Sequence, residues 1–144
     1  MPVEVSPYVL VAILSLLAAQ ALKYVILLVR GRDFDPLRQV YSSGGIPSAH
    51  STSVTALLVL IGLRDGVESG LFGLAFLFAI IVMYDAVMVR RSVGEQGKAL
   101  QVLIRMASKD TPLPRAAKGH TPLELVVGAA LGATIGLVVF SATI

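Results

Sequence analysis

The sequence predicts an all-α integral membrane protein, a bundle of about four transmembrane helices with a short amphipathic helix on its cytoplasmic side. Hydrophobic residues make up 56% of the 144 residues and charged residues only 15%, whereas soluble domains average roughly 50% and 25%. The mean hydropathy is +0.82, and the apolar runs lack the alternation of barrel strands. Because backbone in lipid must satisfy its own hydrogen bonds, the runs are expected to form helices. Residues 1–144 are expected to form a single domain.

Four apolar runs are long enough, or nearly so, to cross a bilayer, which takes roughly 17–25 helical residues. They cover residues 8–29, 48–63, 71–89 and 122–142. The second is the shortest and needs its polar start to reach full length. The first is expected to remain in the protein, because residues 1–22 contain no Lys or Arg and therefore lack the basic start of a signal peptide. The absence of cysteine excludes disulfides and thiolate metal sites.

A further segment between the third and fourth runs has apolar residues at helical spacing over 99–106. Lys98, Gln101 and Arg105 are interspersed among them. This pattern predicts an amphipathic helix lying on the membrane surface, where it would cover the cytoplasmic mouth of the bundle.

The basic residues indicate how the bundle is oriented. Eleven of the twelve Lys and Arg residues close the first run or fill the loop between the third and fourth, and only Arg64 falls on the opposite side. By the positive-inside rule the basic face is cytoplasmic, in an inner (plasma) membrane, and both histidines lie on that face. Anionic membrane lipids account for the net charge of +3, so no nucleic-acid partner is expected.

The first of the two histidines, His50, directly follows a break in the chain. Gly44 and Gly45 allow unusual backbone angles, and Pro47 suits the first turn of a helix. The backbone N–H groups at this positive helix end would suit an anion such as phosphate. They belong to Ser48, Ala49 and His50.

Two cations and one carboxylate lie at the edges of the apolar runs. Lys23 and Arg30 are seven residues apart on one helical face, and either Lys23 extends to the headgroups or both side chains hold phosphate oxygens. Asp85 lies well inside the third run, where a charge costs at least ~2.5 kcal/mol. It should therefore face the bundle and pair with Lys23, Arg90 or Arg91, more as a structural ion pair than as a catalytic group.

The second histidine, His120, is four residues before Glu124. On a helix that starts near Thr121, the carboxylate comes under the imidazole and can fix its tautomer. Further steps of four residues form a ridge of small residues, which lets another helix approach closely. This ridge consists of Gly128, Gly132 and Gly136.

These motifs resemble those of type 2 phosphatidic acid phosphatases. Residues 47–50 are similar to their Pro-Ser-Gly-His motif, His120 with Glu124 is similar to their His-x-x-x-Asp motif, and Lys23 with Arg30 has the spacing of their first motif. The closer resemblance is to the divergent branch of that superfamily, which has the ordered motifs GG-[MI]-PS-x-HS, D-x3-VRR-x2-GEQ and GH-x-P-x-E. The corresponding stretches here are 44–51, 85–96 and 119–124.

The chain departs from the main superfamily in one motif. Leu113 and Pro114 occupy the positions of its Ser-Arg pair. A phosphate contact would then have to come from Arg115, one residue later, or from Arg90 and Arg91.

The resemblance implies a phosphatase that needs no metal or cofactor and acts on a lipid phosphate. In that mechanism His120 attacks phosphorus, Glu124 orients His120, and His50 protonates the leaving alkoxide. The implied phosphate-binding residues are Lys23, Arg30, Ser48, Ala49, Arg90, Arg91 and Arg115. The implied supporting residues are Asp85, Gly44 and Gly45.

Several alternatives remain open at this stage. A cytoplasmic site favours phosphatidylglycerophosphate or phosphatidate as substrate, and polyprenyl (di)phosphate is the alternative. A metal-dependent membrane hydrolase would use His50, His120, Glu124 and Asp85 as ligands. The chain can also be a non-catalytic protein that binds or transports lipids or anions. Since four spans are fewer than the usual six, a homodimer is a further expectation.

Overall fold

A computed structural model describes residues 5–31, 45–108, 111–114, 116 and 119–143. These residues form five α-helices, namely α1 Pro7–Val29, α2 Ala49–Arg64, α3 Gly70–Tyr84, α4 Arg90–Ala107 and α5 Pro122–Ala142. A single π-helical turn, Asp85–Val89, joins α3 to α4. Since the described residues contain no strand, the all-α prediction is confirmed.

Polar side chains determine where three of the helices begin. Ser48 caps α2 and Ser69 caps α3, each accepting a hydrogen bond from a backbone N–H of the first turn. Helix α5 starts with Pro122 and has a full capping box, in which Thr121 and Glu124 each accept from the other's backbone N–H. Such caps satisfy N–H groups that have no partner within the helix.

Among the described residues, three helical stretches are long and apolar enough to cross a membrane, Pro7–Val29, Gly70–Ala107 and Pro122–Ala142, while Ala49–Arg64 is apolar but shorter. The first, second and fourth predicted spans agree with the structure to within a residue. The third differs, because α3, the π turn and α4 form one uninterrupted stretch of 38 residues. It is about 57 Å long at 1.5 Å per residue, nearly twice the thickness of a hydrocarbon core. The predicted amphipathic segment, residues 99–106, is helical and forms the end of α4, which continues from the third span without a break.

Helix α2 lies at the centre of the bundle and packs against α1, α3 and α5. The α2–α5 pair is parallel, and all three glycines of the predicted ridge are buried along it. A Cβ atom at Gly128 would lie 2.7 Å from the carbonyl oxygen of Ser48, and one at Gly136 would lie 2.7 Å from that of Ala56. Only glycine permits this approach, so the predicted role of the ridge in close packing is confirmed.

The apolar core lies toward the end of the bundle that is remote from the histidines. It consists of Val11, Ala56, Leu60 and Val139. At the same end, the hydroxyl of Tyr8 donates to Oδ2 of Asp65 over 2.6 Å, which ties the start of α1 to the end of α2. The histidine end contains the buried polar residues Lys23, Ser48, Ser51 and His120 and is therefore the polar end of the bundle.

Candidate active site

The first turns of α2 and α5 lie side by side. The N–H of Ser48 donates to the carbonyl of Glu124 at 3.2 Å, and the hydroxyl of Ser51 donates to the carbonyl of Leu125 at 2.8 Å. Because the two helices are parallel, their positive dipole ends converge on one region. A phosphate bound there would face two helix N-termini.

His120 is held by the first turn of α5. The side chain is buried, with 5% of the residue exposed, and its Nδ1 lies 2.9 Å from Oε2 of Glu124. The same oxygen accepts the N–H of Thr121 at 3.2 Å, so the capping box also orients the carboxylate. With Nδ1–H donating to Glu124, Nε2 carries the lone pair. The contact predicted from the four-residue spacing is confirmed, and the catalytic role of the pair stays a prediction.

His50 lies in the first turn of α2 and is exposed. Its ring is within electrostatic range of His120, Lys23, Arg90 and Asp85, so both histidines belong to one polar cluster. Two histidines that are seventy residues apart in sequence are thus brought to the same end of the bundle.

Two of the three backbone amides predicted to bind phosphate have the required arrangement. The N–H groups of Ala49 and His50 have no hydrogen-bond partner among the described residues, as expected for the first turn of a helix. Ser48 differs from the prediction, because its N–H is already bonded to Glu124 and its fully buried side chain caps α2. Ser48 therefore joins the two helices and does not present its amide to a ligand.

Lys23 lies inside the bundle. Only 8% of the residue is exposed, and its stem packs on Gly45, where an added Cβ would lie 3.3 Å from Cε of the lysine. Gly45 has a φ of 94°, a conformation that favours glycine. Glu124 lies within range of the lysine charge. Of the two interpretations of Lys23, the structure therefore agrees with an inward position near the histidines and not with extension through lipid.

Asp85 is paired with Arg90. The Nε of Arg90 donates to Oδ2 of Asp85 at 2.7 Å, and the charges of both groups act on His50. The prediction that Asp85 pairs with a cation is confirmed, and Arg90 is that cation. The pair is about two-fifths exposed, so the arginine can still approach a ligand.

Two of the remaining predicted cations, Arg91 and Arg30, do not contact this cluster within the described residues. Arg91 donates to Glu95 at 3.3 Å, and its side chain is 67% exposed. Arg30 is exposed at the end of α1, and no described contact joins it to either histidine. The predictions for Gly44 and Arg115 fall outside the described residues.

Three of the four residues proposed as ligands in the metal-dependent alternative already form side-chain contacts. Glu124 contacts His120, and Asp85 contacts Arg90. Within the described ranges, no group of three or more His, Asp or Glu side chains could hold a metal ion.

Sequence reasoning missed the role of the backbone near Ala86 and Gly119. The N–H of His120 donates to the carbonyl of Ala86 at 3.0 Å, which anchors the histidine to the π turn. A Cβ at Gly119 would lie 2.7 Å from the backbone nitrogen of Arg91. The glycine beside His120 was the one available signal of close packing, whereas nothing in the sequence marks Ala86.

Comparisons with known proteins agree with the motif resemblance. Residues 5–135 match the model of a family described as the divergent PAP2 family. The chain is also similar to "Uncharacterized membrane protein YuiD" of Bacillus subtilis (strain 168), with 34% identity over 139 residues, which cover 86% of this chain and 87% of the relative. No solved structure matches the chain significantly.

Proposed function

The chain belongs to the divergent PAP2 family, and on that premise we propose that it is a lipid-phosphate phosphatase that works through a phosphohistidine. One observation carries the proposal. The buried His120–Glu124 pair lies at the same end of the bundle as a second histidine, a buried lysine and an arginine held by a carboxylate. This combination supplies a nucleophile, a proton donor and cations for a phosphate group.

The proposed reaction has two steps. In the first, Nε2 of His120 attacks phosphorus, the ester P–O bond breaks, and His50 donates a proton to the leaving alkoxide while Glu124 stabilises the imidazolium. In the second step, a water molecule attacks the phosphorus of the phosphohistidine while His50 accepts a proton from that water. The P–N bond then breaks, which releases inorganic phosphate and regenerates His120.

Electrostatic stabilisation comes from groups that are already in place before substrate binds. Lys23, Arg90 and the N–H groups of Ala49 and His50 would share the charge that develops on the phosphoryl oxygens. Arg90 supplies the phosphate contact that the missing Ser-Arg motif would otherwise make, because Asp85 holds Arg90 near His50.

The apolar exterior of the bundle favours a lipid substrate whose phosphate lies at headgroup depth beside the polar end. With the basic face in the cytoplasm, the substrate is a phosphomonoester such as phosphatidylglycerophosphate or phosphatidate. With the opposite orientation, polyprenyl diphosphate becomes the preferred substrate.

Phosphate release from purified protein tests this proposal. Phosphatidylglycerophosphate, phosphatidate and a polyprenyl diphosphate are offered in detergent micelles, with and without chelator. The wild type is compared with His120→Ala and with Arg105→Ala, a control that removes an exposed charge from α4. We expect chelator-resistant hydrolysis that His120→Ala abolishes and Arg105→Ala preserves. Loss of activity with chelator would indicate a metal-dependent hydrolase, and lipid binding without hydrolysis would indicate a non-catalytic protein.

A further inference from the structure

The π turn Asp85–Val89 changes the backbone hydrogen bonding beside the site. The N–H of Arg90 donates to the carbonyl of Asp85, five residues back. In an α-helix the same N–H would donate to the carbonyl of Ala86, four residues back. The wider turn therefore releases the Ala86 carbonyl from its usual partner.

The released carbonyl accepts a hydrogen bond from another part of the chain. The N–H of His120 donates to it at 3.0 Å, and Ala86 is 2% exposed, so this bond is shielded from water. Gly119 allows the approach, because a Cβ there would lie 2.7 Å from the nitrogen and 2.8 Å from the Cα atom of Arg91. The segment before α5 thus docks directly on the widened turn.

The same turn brings Asp85 and Arg90 together. Residues five apart on an α-helix point about 140° away from each other, whereas a π turn places them on one side of the helix. The 2.7 Å bond between Nε of Arg90 and Oδ2 of Asp85 follows from that alignment. A regular α-helix through this region would separate the two side chains.

We propose that the π turn is the positioning device of this site. Its Ala86 carbonyl holds the backbone of His120, and its widened register holds Arg90 through Asp85. One element thereby sets the nucleophile and a phosphate-binding arginine relative to each other. Ala86 and Gly119 are positioning residues in this account. Its kinetic part rests on the proposed phosphatase function, whereas its structural part can be measured without any activity.

Backbone hydrogen exchange at the two histidines tests the structural part. The chain contains only His50 and His120, so isotope-labelled histidine in protein without a histidine tag gives two backbone amide signals by NMR. The amide of His120 should exchange much more slowly than that of His50, because, of the two, only the His120 amide donates to a backbone carbonyl among the described residues. Gly119→Ala should accelerate the exchange of His120 by about tenfold, the equivalent of one hydrogen bond.

Gly73→Ala is the matched control, since an added Cβ there meets nothing within 4 Å. It should leave the exchange rate of the His120 amide unchanged. In the kinetic assay, Gly119→Ala should lower kcat by up to about a hundredfold, as expected for a displaced nucleophile. Its KM should change less than its kcat, because Lys23 and the N–H groups of Ala49 and His50, which also bind phosphate, lie on other helices.

Two results would overturn the proposal. One is a His120 amide that exchanges as fast as that of His50 in the wild type, and this measurement decides the matter even where Gly119→Ala does not fold. The other is a Gly119→Ala protein with wild-type exchange and wild-type kcat. A third result separates the two proposals. If the His120 amide is protected from exchange, Gly119→Ala removes that protection, and the wild type hydrolyses no lipid phosphate, then His120 docks on the π turn as proposed but the protein is not a phosphatase.

Discussion

Adding one methyl group at Gly128 should reduce both stability and activity, because this glycine lies where α2 and α5 touch. A Cβ atom there would stand 2.7 Å from the carbonyl oxygen of Ser48 and 3.2 Å from its backbone nitrogen. The shorter distance is about 0.7 Å inside ordinary van der Waals contact. Both contacts are with backbone atoms, so no side-chain rotation can relieve them and the two helices must move apart.

The separation should act directly on the site. The N–H of Ser48 donates to the carbonyl of Glu124 at 3.2 Å, and a shift of about 0.7 Å takes that pair beyond hydrogen-bonding distance. The α2 end that carries His50 then moves away from the α5 end that carries His120. Overpacking of this kind costs about 1–3 kcal/mol of stability, and misplacing the two groups should lower kcat by about ten- to a hundredfold.

Thermal unfolding in detergent micelles and steady-state phosphate release measure the two effects of Gly128→Ala. The matched control is Gly73→Ala, which makes the same change in a helix where the new methyl group has nothing within 4 Å. The control should keep the wild-type kcat, and its Tm should stay level or rise, since alanine favours helix over glycine by about 1 kcal/mol. If Gly128→Ala matches Gly73→Ala in both Tm and kcat, the helices are not in the close contact on which this reasoning depends.

Three further predictions address the cations, the orientation and the proton donor. Arg90→Ala should lower kcat/KM for phosphate release at least about tenfold more than Arg91→Ala, because only Arg90 of these two is held beside His50. Equal losses of kcat/KM in the two variants would contradict the role of Arg90 as the phosphate-binding arginine. Since the chain has no cysteine, single cysteines can report the orientation of the protein in the membrane. In intact cells, Thr111→Cys should resist a membrane-impermeant thiol reagent and Glu68→Cys should react with it. The reverse pattern would place the site outside the cell and favour polyprenyl diphosphate as substrate. His50→Ala should slow the hydrolysis of an alkyl phosphate, but it should hydrolyse an aryl phosphate at most of the wild-type rate, because that leaving group needs no proton. An equal loss of rate with both esters would argue against His50 as the proton donor.

Features set by neighbouring residues were predictable from the sequence. The bounds of α5 follow from its capping box, the proline at its first position and the apolar run behind them. The His120–Glu124 contact follows from a spacing of four on a helix. The glycines of the ridge follow from the same repeat, and their burial against α2 confirms that the repeat faces a neighbour.

Features set by tertiary contacts were not predictable. Helical periodicity places Lys23 and Arg30 on one face but cannot tell a face that meets the bundle from one that meets lipid, and only Lys23 is buried. The amide of Ser48 was expected to be free because the first N–H groups of a helix have no partner within the helix. In the structure this N–H donates to the carbonyl of Glu124.

The π turn also escapes sequence analysis. Residues 85–89 continue an apolar helical pattern without a glycine or proline, so nothing local marks a change of register. The turn is paired with a contact from a distant segment, the bond between the N–H of His120 and the carbonyl of Ala86. Only the arrangement of the whole bundle brings those two groups together.

Trapping the phosphorylated enzyme tests directly whether His120 is the nucleophile. Protein that is turning over a lipid carrying a labelled phosphate is quenched in alkaline denaturant, which preserves the acid-labile phosphohistidine, and the labelled peptide is identified by mass spectrometry. We expect label on His120, none on His50, and none anywhere in His120→Ala. Label on His50, or turnover that continues after His120→Ala, would contradict it.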